Sequence, residues 1–263
     1  MSVELKLENI EKSDILKDIN LDLKGGTITA LIGENGSGKT TLLKSIFGLV
    51  DYKGNINVNG IIVSSQNIKD VRKNFGIFLG INTLKNTNVF SNLMEPLINL
   101  NYKEEEAKKI VYEISKKLGI ENLLYKEIEK LSYSQKKVVA FAKSIIHLPS
   151  IILIDNLFES LDLFYRNKIV NYLKKITKSK KCIVIFTTNN CEDILLSDYL
   201  IILKKGKIKK FGETKELLKD ENIFIKNKLK LPFIVDLSHK LKAYEILDDV
   251  IYDIDEMVDE IWK

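Results

Sequence analysis

Gly33, Glu34, Asn35, Gly36, Ser37, Gly38, Lys39, Thr40 and Thr41 form a run that fits G-x-x-x-x-G-K-[ST]. Glycines let the backbone wrap so that successive N–H groups point at one phosphate. A helix starting near Gly38 adds the positive end of its dipole. Lys39 puts a point charge where the β- and γ-phosphates of a nucleotide lie, and the Thr40 hydroxyl is a Mg²⁺ ligand. The plain alternative is a strand–turn–helix with a Gly-rich turn.

The flanking residues weigh against that alternative. Residues 27–32 (TITALI) read as a buried strand feeding the loop, and residues 41–47 (TLLKSIF) read as the helix leaving it. Motif and context therefore agree on a phosphate-binding loop. A second acid of interest, Asp155, ends the fully apolar run Ile151-Ile152-Leu153-Ile154.

Composition narrows the classes. A chain of 263 residues can bury a real core, as one large or two small domains. Its 45% hydrophobic and 29% charged content is that of a soluble globular protein rather than a disordered or membrane-embedded one. The net charge of +5, from 41 basic and 36 acidic residues, is spread along the chain, so no dense block points to nucleic acid. No apolar run approaches the roughly 18 residues that cross a bilayer. The first residues alternate like a strand and lack a signal-peptide core, so a cytosolic location is expected. Cys182, Cys191, His147 and His239 are too few for a disulfide framework and make a zinc site an unattractive reading.

Taken in order, the chain reads as α/β. Residues 3–7 and 19–23 alternate as half-buried strands, and Gly25-Gly26 turns the second into the loop strand. Residues 54–60 and 75–80 read as further strands. From residue 87 to 147 the period becomes helical, with stripes over 104–118 and 134–146. Then follow the strand 151–155, a helix at about 163–177, the strand 182–186 and a strand pair around 199–211. This order predicts a mostly parallel core sheet, an antiparallel β subdomain and a helical insertion at about 85–147. Residues 1–220 are expected to form one domain and 221–263 a small C-terminal extension.

Several stretches now line up with the ATP-binding cassette (ABC) family. Leu131-Ser132-Tyr133-Ser134-Gln135 resembles the family signature Leu-Ser-Gly-Gly-Gln. The strand ending at Asp155 resembles the Walker B strand, and Glu159-Ser160-Leu161-Asp162 resembles the D-loop behind it. Gly206-Lys207-Ile208 and Gly212-Glu213-Thr214 resemble the closing strand pair. The resemblance covers roughly residues 3–218 and implies a P-loop NTPase fold that takes ATP and Mg²⁺. It makes Asp155 a metal-site residue acting through a Mg²⁺-bound water, beside Thr40. It also implies head-to-tail pairing of cassettes, with residues 131–135 facing the partner's ATP. The tail, from Leu231-Pro232-Phe233 to Ile261-Trp262, is similar to the C-terminal extension of energy-coupling-factor transporter ATPases, which power vitamin and metal-ion uptake. An amphipathic capping helix would look the same.

The departures from the family are informative. Asn156 stands where the family carries the carboxylate that deprotonates the attacking water, and an amide cannot take that proton. Thr188 replaces the switch histidine. Gly80 aligns with the glutamine that contacts metal and water. Residues 8–16 contain no aromatic or His to stack on adenine. Ser134 replaces a signature glycine, and its Cβ is expected to crowd the partner's nucleotide. Ser91 and Asn92 replace acidic residues expected in the energy-coupling-factor group, within the insertion around 87–100.

The binding parts survive while the cutting parts are changed. The first functional expectation is therefore the degenerate half of a heterodimeric ABC transporter motor, with slow hydrolysis by the chain itself. Its expected partners are a second, catalytically complete cassette and a transmembrane subunit, placing it on the cytoplasmic face of the membrane with no direct lipid contact. The second expectation is a nucleotide-sensing regulatory protein without transport. A soluble double-cassette factor is disfavoured, because only one cassette is present.

Overall fold

The computed structural model describes residues 3–262. The chain begins with two strands, β1 (Glu4–Lys12) and β2 (Leu16–Lys24), whose alternate residues Leu5, Leu7, Ile19, Leu21 and Leu23 are buried. Then come β3 (Thr27–Ile32), α1 (Lys39–Ile46), β4 (Lys53–Val58) and β5 (Ile61–Ile62). The short α2 (Ile68–Val71) precedes β6 (Phe75–Phe78). Helices α3 (Val89–Asn99), α4 (Glu104–Leu118) and α5 (Tyr133–Ile145) form the insertion. They are followed by β7 (Ile151–Asp155), α6 (Leu163–Lys180), β8 (Ile183–Thr187), β9 (Tyr199–Lys204) and β10 (Lys207–Glu213). Helices α7 (Thr214–Leu218), α8 (Glu221–Lys226), α9 (Phe233–Ala243) and α10 (Ile254–Ile261) complete the chain.

Two sheets result. The smaller has the order β2-β1-β4-β5 and is antiparallel; the larger has the order β10-β9-β3-β8-β7-β6. Within the larger sheet only the β9–β10 pair is antiparallel. The expected parallel core with an antiparallel subdomain is what forms.

The apolar runs of the core strands have a simple cause. Both faces of the parallel sheet are covered, so successive residues alternate between two cores instead of between core and water. Ile183, Ile185, Ile151, Leu153, Leu31 and Leu203 point to the side shared with α1 and the antiparallel sheet. Val184, Phe186, Ile152, Ile154, Ala30 and Ile202 point to the side covered by α4, α5 and α6. Phe224, Val235, Leu247 and Met257 of the tail join that second cluster, so the extension packs onto the same core as the insertion.

The register sets up the site. Asp155 is the last residue of β7 and pairs with Thr187, the last of β8, while β3 runs beside β8 and ends at the glycine-rich loop. Three strand ends therefore open into one crevice at the carboxyl edge of the sheet, the usual place for a ligand in an open α/β sheet.

Candidate nucleotide site

The loop between β3 and α1 adopts the wrapped form anticipated from its glycines. Gly36 and Gly38 have φ of 78° and 106°, a region that side chains with a Cβ rarely occupy. At Gly38 a Cβ would also press on Leu16 at 3.0 Å and on the Ile15 carbonyl at 3.2 Å. Glycine is thus favoured there by its backbone conformation and by its close neighbours. Gly38 is the N-cap of α1 and carries no capping side chain, so the first N–H groups of the helix stay free for an anion. The β9–β10 turn braces the loop from behind: Gly206 N–H donates to the Ser37 carbonyl at 3.0 Å.

A cavity of about 420 Å³ lies over the loop, lined by 35–41 together with Ile15, Asp155, Asn156, Thr187 and Asn189. Lys39 Nζ donates to the Gly33 carbonyl at 2.7 Å and the Glu34 carbonyl at 3.2 Å. Burial pushes this ammonium below the usual lysine range, and Asp155 only partly opposes that shift. A half-buried cation held by neutral carbonyls favours an incoming anion.

Thr40 and Asp155 meet. The Thr40 hydroxyl donates to Asp155 Oδ2 at 2.8 Å, and Thr187 Oγ1 donates to Oδ1 at 2.7 Å. Thr187 Oγ1 also accepts the Asn156 N–H at 3.0 Å. A hydroxyl and a carboxylate in contact beside a lysine form an all-oxygen donor set of the sort Mg²⁺ takes alongside phosphate. The residues present therefore fit a Mg²⁺-bound nucleotide. Mg²⁺ would neutralise phosphate charge there, with Thr40 and Asp155 the residues to hold it. Lys39 and the loop N–H groups would hold the phosphates.

The altered positions have identifiable new duties. Asn156 has a left-handed backbone, with φ of 52°, and its side-chain Nδ2 donates to the Glu159 carboxylate. Its Oδ1 is buried without a hydrogen-bond partner among the described residues. Thr188 is not among the lining residues, and its hydroxyl donates to Asp193, which forms an ion pair with Arg166 at 2.6 Å. The neighbouring Asn189 lines the cavity in its place. No residue of the Gly80 loop is among the lining residues.

Residues 131–135 lie apart from this cavity. Ser132 caps α5 in a capping box, accepting from Gln135 N–H at 3.2 Å while Gln135 Oε1 accepts from Ser132 N–H at 3.0 Å. Leu131 is buried, and Tyr133 is 56% exposed. The Ser134 hydroxyl turns inward and accepts the Asp162 N–H at 2.9 Å.

Ile15, Thr187, Asn189 and Lys137 escape motif reading. Ile15 is an apolar residue on the cavity wall in a segment with no aromatic residue. Thr187 carried one signal, its place at the end of an apolar strand parallel to that of Asp155. Lys137 reads as one lysine among many, yet it is only 5% exposed.

Comparison with known proteins agrees with this geometry. The sequence profile described as ABC transporter matches residues 16–159. The chain belongs to the ABC transporter family. An energy-coupling factor transporter ATP-binding protein EcfA1 of Mesomycoplasma hyopneumoniae is 32% identical over 252 residues, covering 95% of this chain and 91% of that protein. An EcfA of Pediococcus pentosaceus is 32% identical over 98% of this chain and 93% of its own length. Among solved structures, cbiO1 from Clostridium perfringens, part of the ABC transporter complex cbiONQ, superposes with a TM-score of 0.75. It is 30% identical and is covered over 98% of its length, matching 89% of this chain. The cassette MJ0796, dimeric and bound to ADP and Pi, superposes with a TM-score of 0.72 at 26% identity, covering 80% of this chain and 98% of that one. As an ABC cassette the chain is an ATP-binding domain whose family hydrolyses ATP in assembled complexes. No helix among the described residues is long and apolar enough to cross a membrane.

Proposed function

We propose that this chain is the ATP-binding subunit of an energy-coupling-factor type transporter and forms the degenerate half of its two-cassette motor, driving uptake of a vitamin or metal ion. It pairs with a catalytically complete cassette and docks on a transmembrane subunit at the cytoplasmic face of the membrane. The pairing of Asp155 with Asn156 carries the reading. The acid that holds Thr40 is kept, while the next residue offers an amide that is already engaged with Glu159. Full-length likeness to EcfA proteins supports the transporter type.

The chemistry follows from these residues. Lys39, Thr40, Asp155 and the loop N–H groups bind and orient the triphosphate with its metal. No carboxylate follows Asp155 to take the proton of the attacking water. General-base help is typically worth about 10²–10⁴ in rate, so turnover at this site is slow. ATP held here acts chiefly by ligand linkage, stabilising the assembled form. Residues 131–135 serve the partner's site, where the hydrolysis that drives transport occurs.

The test is purification of the chain from its native membranes, with binding and phosphate-release assays on the complex and on the chain alone. The proposal expects a second cassette with a carboxylate after its Walker B Asp, a membrane subunit, and phosphate release that needs the partner's P-loop. A chain that binds Mg-ATP but remains alone in the soluble fraction refutes the transporter reading and leaves nucleotide sensing. Rapid phosphate release by the chain alone refutes the degenerate site.

A further inference from the structure

The turn of residues 156–162 joins the end of β7 to α6, and two of its residues are left-handed without being glycine: Asn156 with φ of 52° and Ser160 with φ of 55°. Such a backbone needs support from outside the turn. Apart from the Thr187 hydroxyl that accepts the Asn156 N–H, it comes from one helix. Lys137 Nζ donates to the Asn156 carbonyl at 3.2 Å and also to the Glu159 carbonyl. One turn earlier on α5, Ser134 Oγ accepts the Asp162 N–H at 2.9 Å, satisfying the N-cap residue of α6. Both ends and the middle of the turn are thereby tied to the first turns of α5.

Lys137 is an unusual choice for this place. Its side chain is nearly buried, the Tyr133 ring lies 5.6 Å from its ammonium, and it forms no ion pair among those described. Burial pushes it below the usual lysine range, with Glu159 opposing. An apolar residue would fill the space without that desolvation. The carbonyls, not the volume, account for a cation here.

We infer that Lys137 and Ser134 are positioning residues that hold the 156–162 turn, and with it Asp155 and Asn156, in the form the metal–nucleotide site needs, and that they thereby tie this site to residues 131–137. The inference rests on the assignment of the cavity over Lys39 and Thr40 as a Mg-ATP site. It adds a physical route between that cavity and a segment that does not line it. Asp155 is the last residue of β7, so a shift at Asn156 moves the carboxylate that accepts from Thr40 and Thr187.

The experiment uses the full chain and two readouts. ATP affinity is measured with Mg²⁺ and with EDTA, and amide hydrogen exchange is followed at 131–137 and 156–162 with and without Mg-ATP. The measurements are made at a concentration where sedimentation shows a monomer. In the unmodified chain, Mg-ATP slows exchange in both segments. Lys137→Met weakens Mg-ATP by about tenfold, as expected for loss of hydrogen bonds from a charged donor. It leaves Mg-free ATP affinity unchanged and removes the protection at 131–137, while Lys137→Arg restores part of both. Equal loss with and without Mg²⁺ overturns the inference, because that is what a merely structural lysine gives. Retained protection at 131–137 in a folded Lys137→Met chain also overturns it. Should that variant not fold, Ser134→Ala removes the hydrogen bond to Asp162 while keeping the helix, and is expected to speed exchange at 156–162 and to weaken protection at 131–137; no change in either overturns the inference. An unmodified chain that binds no Mg-ATP refutes the nucleotide-site assignment itself, a result distinct from the others.

Discussion

Thr187 and Asp155 face each other across the last rung of β7 and β8, with Thr187 Oγ1 donating to Asp155 Oδ1 at 2.7 Å. The same hydroxyl accepts the Asn156 N–H at 3.0 Å, so one oxygen orients the carboxylate and the peptide behind it. Thr187→Val keeps the shape and removes both bonds. An unsatisfied buried polar group costs about 1–3 kcal/mol, so urea unfolding should show a loss of that size. Mg-ATP affinity should fall with it. A stability within about 0.5 kcal/mol of the unmodified chain, the range of changes away from such features, contradicts this account.

Lys39→Ala should abolish measurable Mg-ATP binding in calorimetric titration while the chain keeps its thermal stability. Among the described residues the ammonium bonds to two loop carbonyls, which leaves its charge available to phosphates. A sign test accompanies it. Burial lowers the Lys39 pKa below 10.5, and a bound polyanion raises it again. Between the lowered value and the bound one, binding takes up a proton, so affinity falls as pH rises through that window. Titrations in alkaline buffers of different ionisation enthalpy measure this uptake. Proton release would reverse the assignment.

Asn156→Glu restores a carboxylate after Asp155, but beside Glu159, whose carboxylate the Asn156 amide now contacts. Two adjacent carboxylates disfavour double ionisation, and one is pushed up. Phosphate release by Asn156→Glu should therefore rise by less than the ~10² that general-base help commonly supplies. The double variant Asn156→Glu/Glu159→Ser should exceed it. A double variant no faster than the single one argues against this repulsion.

His147 marks an acid-sensitive point away from the site. Its Nε2 bonds the Phe75 carbonyl at 2.9 Å, while Nδ1 is buried with no hydrogen-bond partner among the described residues. Burial pushes its pKa below 6.5, the Phe75 carbonyl opposing. The unfolded chain then binds the proton more readily than the folded one. Stability is full above pH 6.5 and declines as pH falls toward the lowered value. His147→Gln should flatten the dependence of the urea midpoint on pH below 6.5, relative to the unmodified chain. An unchanged slope would place the acid sensitivity elsewhere.

Periodicity and punctuation made much of this protein legible from its residues. The run from Gly33 to Thr41, between an apolar strand and a helix, defined the loop, because backbone conformation at glycine and charge at lysine are local properties. Alternation in residues 3–24 and unbroken apolar runs at 151–155 and 182–186 separated a half-exposed antiparallel sheet from a parallel sheet covered on both faces. Asn156 was readable as a departure because Asp155 before it and Ser160-Leu161-Asp162 behind it fix its register.

What the altered residues do instead was decided by the tertiary structure alone. Thr188 belongs to a network with Asp193 and Arg166, and Ser134 and Lys137 grip a turn some twenty to thirty residues away. Thr40 and Asp155 touch across 115 positions of chain. Nothing in a lysine's or serine's neighbours says which carbonyl or N–H it will meet, since that depends on how β7, α5 and α6 pack. Local chemistry marked the glycine-rich loop and its lysine; the packing of distant strand and helix ends decided which side chains meet around it.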